Sequence, residues 1–231
     1  MGLNSYVARE PRALPIFILA DTSGSMRGEK INELNLALRE MLSALNKVDD
    51  IRGKFQLCVI GFGGDVKVIQ PLADVDGLTL PELSASGNTP MGEAFDSVRN
   101  MIEDRNVVSS RSYTPTIVLI SDGIPTDCSE EIYNSKKYSE WEPLTELHSS
   151  DRASKSQRLA LGIGADADYG MLKEFINNSD IPVIKANDAS GIIKFFGWVT
   201  MSTVARMNSV NPNVTSTIAP MFDMDDEDIV I

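Results

Sequence analysis

Two segments of this chain are apolar at nearly every position, Leu14-Pro15-Ile16-Phe17-Ile18-Leu19-Ala20 and Ile117-Val118-Leu119-Ile120. A strand with one face in water alternates polar and apolar residues. A run without alternation belongs in the middle of a parallel sheet covered on both faces. The two runs also stop at similar chemistry. The first leads into Asp21-Thr22-Ser23-Gly24-Ser25 and the second into Ser121-Asp122-Gly123. Carboxylates and hydroxyls are hard oxygen donors, which suit Mg²⁺, Mn²⁺ or Ca²⁺ rather than zinc or copper.

Helical and strand patterns alternate along the rest of the chain. Residues 29–48 place Ile31, Leu34, Leu38, Met41, Leu42 and Leu45 on one helical stripe. A buried strand over 55–62 stops at Gly63-Gly64, and a short strand over 66–69 is close enough to form a hairpin with it, giving an antiparallel edge. A helix is expected over 91–103 and a strand over 116–121. Residues 124–141 read as a polar, irregular surface insertion, with Trp141 a candidate interface anchor. Then come a helix over 143–154, a strand over 158–162, a helix over 169–177, a strand over 181–185 and a closing helix over 189–207. Basic residues Lys136, Lys137, Arg152, Lys155 and Arg158 alternate with acids and read as a solvated face.

The expected fold is α/β: a doubly wound, mostly parallel six-stranded sheet with one antiparallel edge strand and helices on both faces. In the strand order 3-2-1-4-5-6, the first and fourth strands adjoin. Ligands of such sheets bind at the carboxyl ends of the strands, beside that switch point. Asp21 and Asp122, 101 positions apart, converge there. The domain spans 9–207, and 208–231 is a tail with the acidic run 223–228.

With 231 residues, 42% of them apolar, the chain has material for one substantial core. Its 33 acidic against 21 basic residues, a net charge of −12, exclude the basic footprint needed for nucleic acid or an anionic membrane. No apolar run has the length of a membrane span. Two cysteines, Cys58 and Cys128, make no disulfide framework, so a cytoplasmic address is expected.

The Asp-x-Ser-x-Ser element of Asp21, Ser23 and Ser25, the loop Thr89 and the strand-end Asp122 together resemble the von Willebrand factor A-type domain and its metal-ion-dependent adhesion site, over residues 15–207. The contexts Thr89-Pro90-Met91-Gly92 and Asp122-Gly123-Ile124-Pro125-Thr126-Asp127 look most like the small bacterial TerY-type proteins of tellurite-resistance and stress gene clusters. The resemblance implies that the serine hydroxyls and either the threonine or an aspartate bind Mg²⁺ directly, the remaining groups acting through water. It further implies that a Glu or Asp of a partner protein completes the coordination, and that a kinase or PP2C-type phosphatase encoded nearby is among the partners. The implied function is a binding module, not an enzyme. The alternatives are a Mg²⁺- or Mn²⁺-dependent hydrolase of phosphate esters and a structural assembly subunit. The acidic tail shares the chemistry of the partner's carboxylate, although such runs are ordinarily solvated.

Three further readings compete. Asp21 or Ser25 could cap the helix starting near Glu29, and Thr89 the helix after Pro90. Gly162-Ile163-Gly164-Ala165-Asp166-Ala167 matches a dinucleotide fingerprint, although Asp166 and Asp168 would repel a pyrophosphate. His148, the single histidine, lies in a polar stretch with nothing marking it as a base. Asp21 itself is expected at a solvent-facing strand end, where replacement by Ala would spare the fold.

Overall fold

The structure is a computed structural model that describes residues 11–48, 53–213 and 229–230. The elements are β1 (Arg12–Asp21), α1 (Glu29–Asn46), β2 (Gly53–Gly63), β3 (Asp65–Asp74), α2 (Met91–Glu103), β4 (Thr116–Ser121), α3 (Glu130–Ser135), α4 (Glu142–Ser149), β5 (Gln157–Ile163), α5 (Tyr169–Ile176), β6 (Val183–Ala186), α6 (Ser190–Asn208) and β7 (Ile229–Val230). One sheet holds all the strands in the order β3-β2-β1-β4-β5-β6-β7. The first six have the expected order. Strand β3 runs antiparallel to β2, and the two-residue β7 runs antiparallel to β6; every other pairing is parallel.

Every residue of β4 and β5 is buried, as are the last eight of β1, which explains why these runs carry no polar alternation. The stripe of α1 is buried as the periodicity requires, and α1 packs beside α6. A second helix group forms around Phe95 of α2, which stacks on Phe175 of α5 at 5.3 Å and meets Trp141 edge-on at 5.6 Å. The chain leaves β1 toward β2 through α1, but leaves β4 toward β5 in the opposite direction through α3 and α4. Right-handed crossovers therefore put the two helix groups on opposite faces of the sheet.

Several expectations are corrected by packing. Trp141 is not an exposed anchor: it is 4% exposed and fills the space that Gly92 leaves by having no side chain. Residues 124–141 are not irregular throughout, since they contain α3 and a 3₁₀ turn at Tyr138–Glu140. The basic residues are not all solvated. Arg158 is buried and donates to the carbonyls of Ile176 and Ser154, and Lys136 pairs with Asp168. Strand β3 continues to Asp74 because β2 offers it a partner along that length, with a register shift that accommodates the irregularity. The acidic run 223–228 lies outside the described residues.

Candidate metal centre

The parallel register of β1 and β4 pairs Ala20 with Ile120, so Asp21 and Ser121 end adjacent strands side by side. Ser121 Oγ donates to Asp21 Oδ2 at 2.6 Å, and the Ser23 amide donates to Asp21 Oδ1 at 2.8 Å. Asp21 is fully buried beneath its own loop. Burial pushes its carboxyl up, against the hydrogen bonds from Ser121 and Ser23, and the neighbouring Asp122 adds to the rise. The expectation of a solvent-facing Asp21 is thereby corrected.

Past Asp21 the chain enters a 3₁₀ turn at Gly24–Met26, and Ser23 Oγ and Ser25 Oγ come within 3.0 Å of each other. Ser25 Oγ donates to Asp122 Oδ1 at 2.7 Å. The other oxygen of Asp122 accepts from Lys30 Nζ at 2.5 Å. Ser23, Ser25, Asp122 and Lys30 thus form one continuous chain of polar contacts, with Asp21 directly beneath Ser23.

Thr89 reaches the same end of the sheet on the loop between β3 and α2. That loop is fastened across β1 and β2: Ser86 N donates to Thr22 O, Gly64 N to Asn88 O, and Gly24 N to Gly87 O. Gly87 has φ +76°, and a Cβ there would stand 2.5 Å from Gly64 Cα, so only glycine fits this crossing. Thr89 is then tied to the loop after β4 by two bonds, its amide to Thr126 Oγ1 at 3.1 Å and its carbonyl from the Thr126 amide at 2.9 Å. Its hydroxyl faces Gly123, 3.9 Å from where a Cβ on that glycine would stand. Thr89 is a neighbour of the polar chain rather than a member of it.

None of these residues caps a helix. Helix α1 starts after Gly28, at φ +84°, and helix α2 starts after Pro90, and neither N-cap residue makes a side-chain capping bond. The cap of α2 comes from a distant residue, Asp127, whose carboxylate accepts from the Glu93 amide at 3.0 Å. Lys30, Ser121, Thr126 and Asp127 carry or support the centre without having been singled out as members of it. The signal available for Lys30 was its place in the first turn of a helix, where the macrodipole disfavours a cation unless a carboxylate is near.

The competing loop at the end of β5 is filled by protein. A Cβ on Gly162 would meet the Tyr169 ring at 2.6 Å, and Tyr169 Oη donates to Gly164 O at 2.7 Å. Asp168 caps α5 by accepting from the Met171 amide at 3.1 Å, and also accepts from Lys136 and Tyr138. The helix N-terminus that would receive a pyrophosphate already holds a carboxylate. His148 sits on α4 with Nε2 3.3 Å from Phe175 O; burial, and secondarily Arg158, lowers its pKa.

The donor set fits a hard divalent cation. It consists of oxygens only, hydroxyls with two carboxylates, and it already accommodates the positive charge of Lys30. Among the described residues no group of three or more His, Cys, Asp and Glu side chains gathers, so a cation here would rest on hydroxyls beside two carboxylates.

Residues 16–124 match the family model of the von Willebrand factor type A domain. Solved structures with the same fold include a von Willebrand factor type A protein from Catenulispora acidiphila, with 16% identity, TM-score 0.62, 83% of this chain covered and 42% of that one. Proximal thread matrix protein 1 of the mussel byssus, solved with a zinc-occupied MIDAS motif, matches with 17% identity and TM-score 0.60 over 84% of this chain and 48% of that one. Manganese-loaded TRAP protein of Plasmodium vivax matches with 20% identity and TM-score 0.53 over 81% of this chain and 73% of that one. The chain spans less than half the length of the first two, and at these identities the likeness shows the fold alone. A comparison with curated protein sequences gives no match. Among the described residues no helix is long and apolar enough to cross a membrane.

Proposed function

We propose that this chain is a metal-dependent protein-binding module in which Asp21, Ser23, Ser25, Thr89 and Asp122 hold Mg²⁺ and an acidic side chain of a partner completes the ligands. The observation that carries the reading is the chain of contacts from Ser23 through Ser25 to Asp122, made by side chains that no helix end uses. Bound there, Mg²⁺ supplies an electrophilic centre whose charge neutral hydroxyls leave under-compensated, which favours an anionic ligand. Mn²⁺ and Ca²⁺ suit the same donors. The match of residues 16–124 and the metal-loaded MIDAS-type neighbour support the assignment.

The setting we propose is bacterial, cytoplasmic and of the TerY type, in tellurite resistance or stress response, with a kinase or PP2C-type phosphatase as partner. Two features support it. The contexts 89–92 and 122–127 that suggest the subfamily act as one unit, since Thr126 and Asp127 fasten Thr89 and α2. Cys58 and Cys128 are both free thiols, compatible with a reducing compartment. A non-enzymatic role is supported by His148, which lies on α4 against Phe175, and by the two carboxylates of the centre, both engaged by protein donors.

A pull-down from cell extract tests the proposal. The partner captured in MgCl₂ should be lost in EDTA and should not be captured by Ser25→Ala. A partner retained in EDTA overturns the proposal. Phosphate-ester turnover that disappears in Ser23→Ala would support the hydrolase instead.

A further inference from the structure

We propose that Lys30 is the resident counter-ion of this centre: its ammonium holds Asp122 in the metal-free protein, and a divalent cation binds only by displacing it. The inference rests on the metal-binding reading above and adds what controls occupancy. Asp122 has no exposed side-chain surface, and both its oxygens are taken, Oδ1 by Ser25 and Oδ2 by Lys30 at 2.5 Å. A buried carboxylate without a partner is costly, so the metal-free centre needs a cation from the protein.

Lys30 is placed to leave as well as to hold. Its side chain is 35% exposed and lies on the first turn of α1, so four methylenes can swing the ammonium into water without disturbing the core. Its position works against it electrostatically, because the N-terminus of a helix repels a cation. Among the described residues its ion-pair partner there is Asp122. A divalent ion among Ser23, Ser25 and Asp122 would repel the ammonium further and take over its partner. The other acid beneath the centre, Asp21, is held by Ser121 and the Ser23 amide and offers Lys30 no substitute. Lys30 therefore sets a threshold: occupancy requires divalent cation above the level that an unguarded site would need.

The test is calorimetric titration of MnCl₂ into the full chain and into Lys30→Gln and Lys30→Arg, with melting temperatures in EDTA. Lys30→Gln should bind Mn²⁺ at least tenfold more tightly and melt lower in EDTA, while Lys30→Arg keeps the wild-type affinity. A second measurement needs no variant: acylation of Lys30 in the wild-type protein, followed by mass spectrometry, should proceed faster in MnCl₂ than in EDTA. Mn²⁺ binding of equal strength to wild type and Lys30→Gln, or acylation unchanged by the metal that binds, overturns the role of Lys30 and leaves the metal centre standing. Binding by Lys30→Gln alone supports the role of Lys30. Absence of Mn²⁺ binding by all three proteins overturns the metal reading and this inference with it.

Discussion

The loops that end β1 and β5 look alike in sequence and do opposite things. Each turns near a glycine, carries acidic residues and leads toward a helix. At the end of β5, Asp168 is consumed by its surroundings, accepting from the Met171 amide, Lys136 and Tyr138, while Tyr169 covers the glycines. At the end of β1, Asp21 anchors its own loop, and the side chains of Ser23, Ser25 and Asp122 pair with one another, with Asp21 and with Lys30. The difference teaches where a ligand can enter. Acceptors fixed by backbone amides and packed rings are structural, whereas hydroxyls and a carboxylate that pair with one another at a strand end can pass to a cation that satisfies them equally well.

The comparison breaks most visibly at the carboxylates. Asp21→Ala strands the Ser121 hydroxyl and the Ser23 amide in a buried site, each worth about 1–3 kcal/mol, so the loss should reach several kcal/mol. Asp166→Ala, on the exposed part of the β5 loop, should change stability by no more than about 0.5 kcal/mol. Urea denaturation of both variants checks this. Similar losses in the two would erase the contrast between the loops.

A smaller effect should appear in acid. Burial alone would raise the Asp168 carboxyl, but Lys136 and Tyr138 together outweigh it and hold the group below its ordinary value. The unfolded chain therefore takes up this proton first as the pH falls. The contribution of Asp168 is complete above about pH 4 and fades as the pH drops through the folded value. Asp168→Asn should lower the melting temperature at neutral pH and flatten its fall below that point. A melting profile parallel to wild type through this range would show that the ion pair carries no stability.

The smallest effect belongs to Tyr169→Phe, which removes the hydroxyl that donates to Gly164 O and should cost about 1 kcal/mol. Mn²⁺ binding should be unaffected, because Tyr169 belongs to the filled loop. A loss of metal affinity in this variant would join two regions that the structure keeps apart.

By itself the sequence determined the sheet. The apolar runs at 14–20 and 117–120 could satisfy their composition only in its middle, and the strand order that follows puts Asp21 beside Ser121. The residue types at those strand ends, hydroxyl and carboxylate, are hard oxygen donors whatever the loops do. Only the tertiary structure decided which polar groups remain available there. Lys30 and Asp122 are 92 positions apart, Thr89 and Thr126 37, and Lys136 and Asp168 32, so no local pattern records their pairing. The same holds for Trp141, whose burial depends on Gly92 and Phe95 of another helix. Hydrophobic periodicity reports which face of an element is dry. It carries no information on which distant donor meets a buried carboxylate, because that partner is chosen by the packing of whole elements.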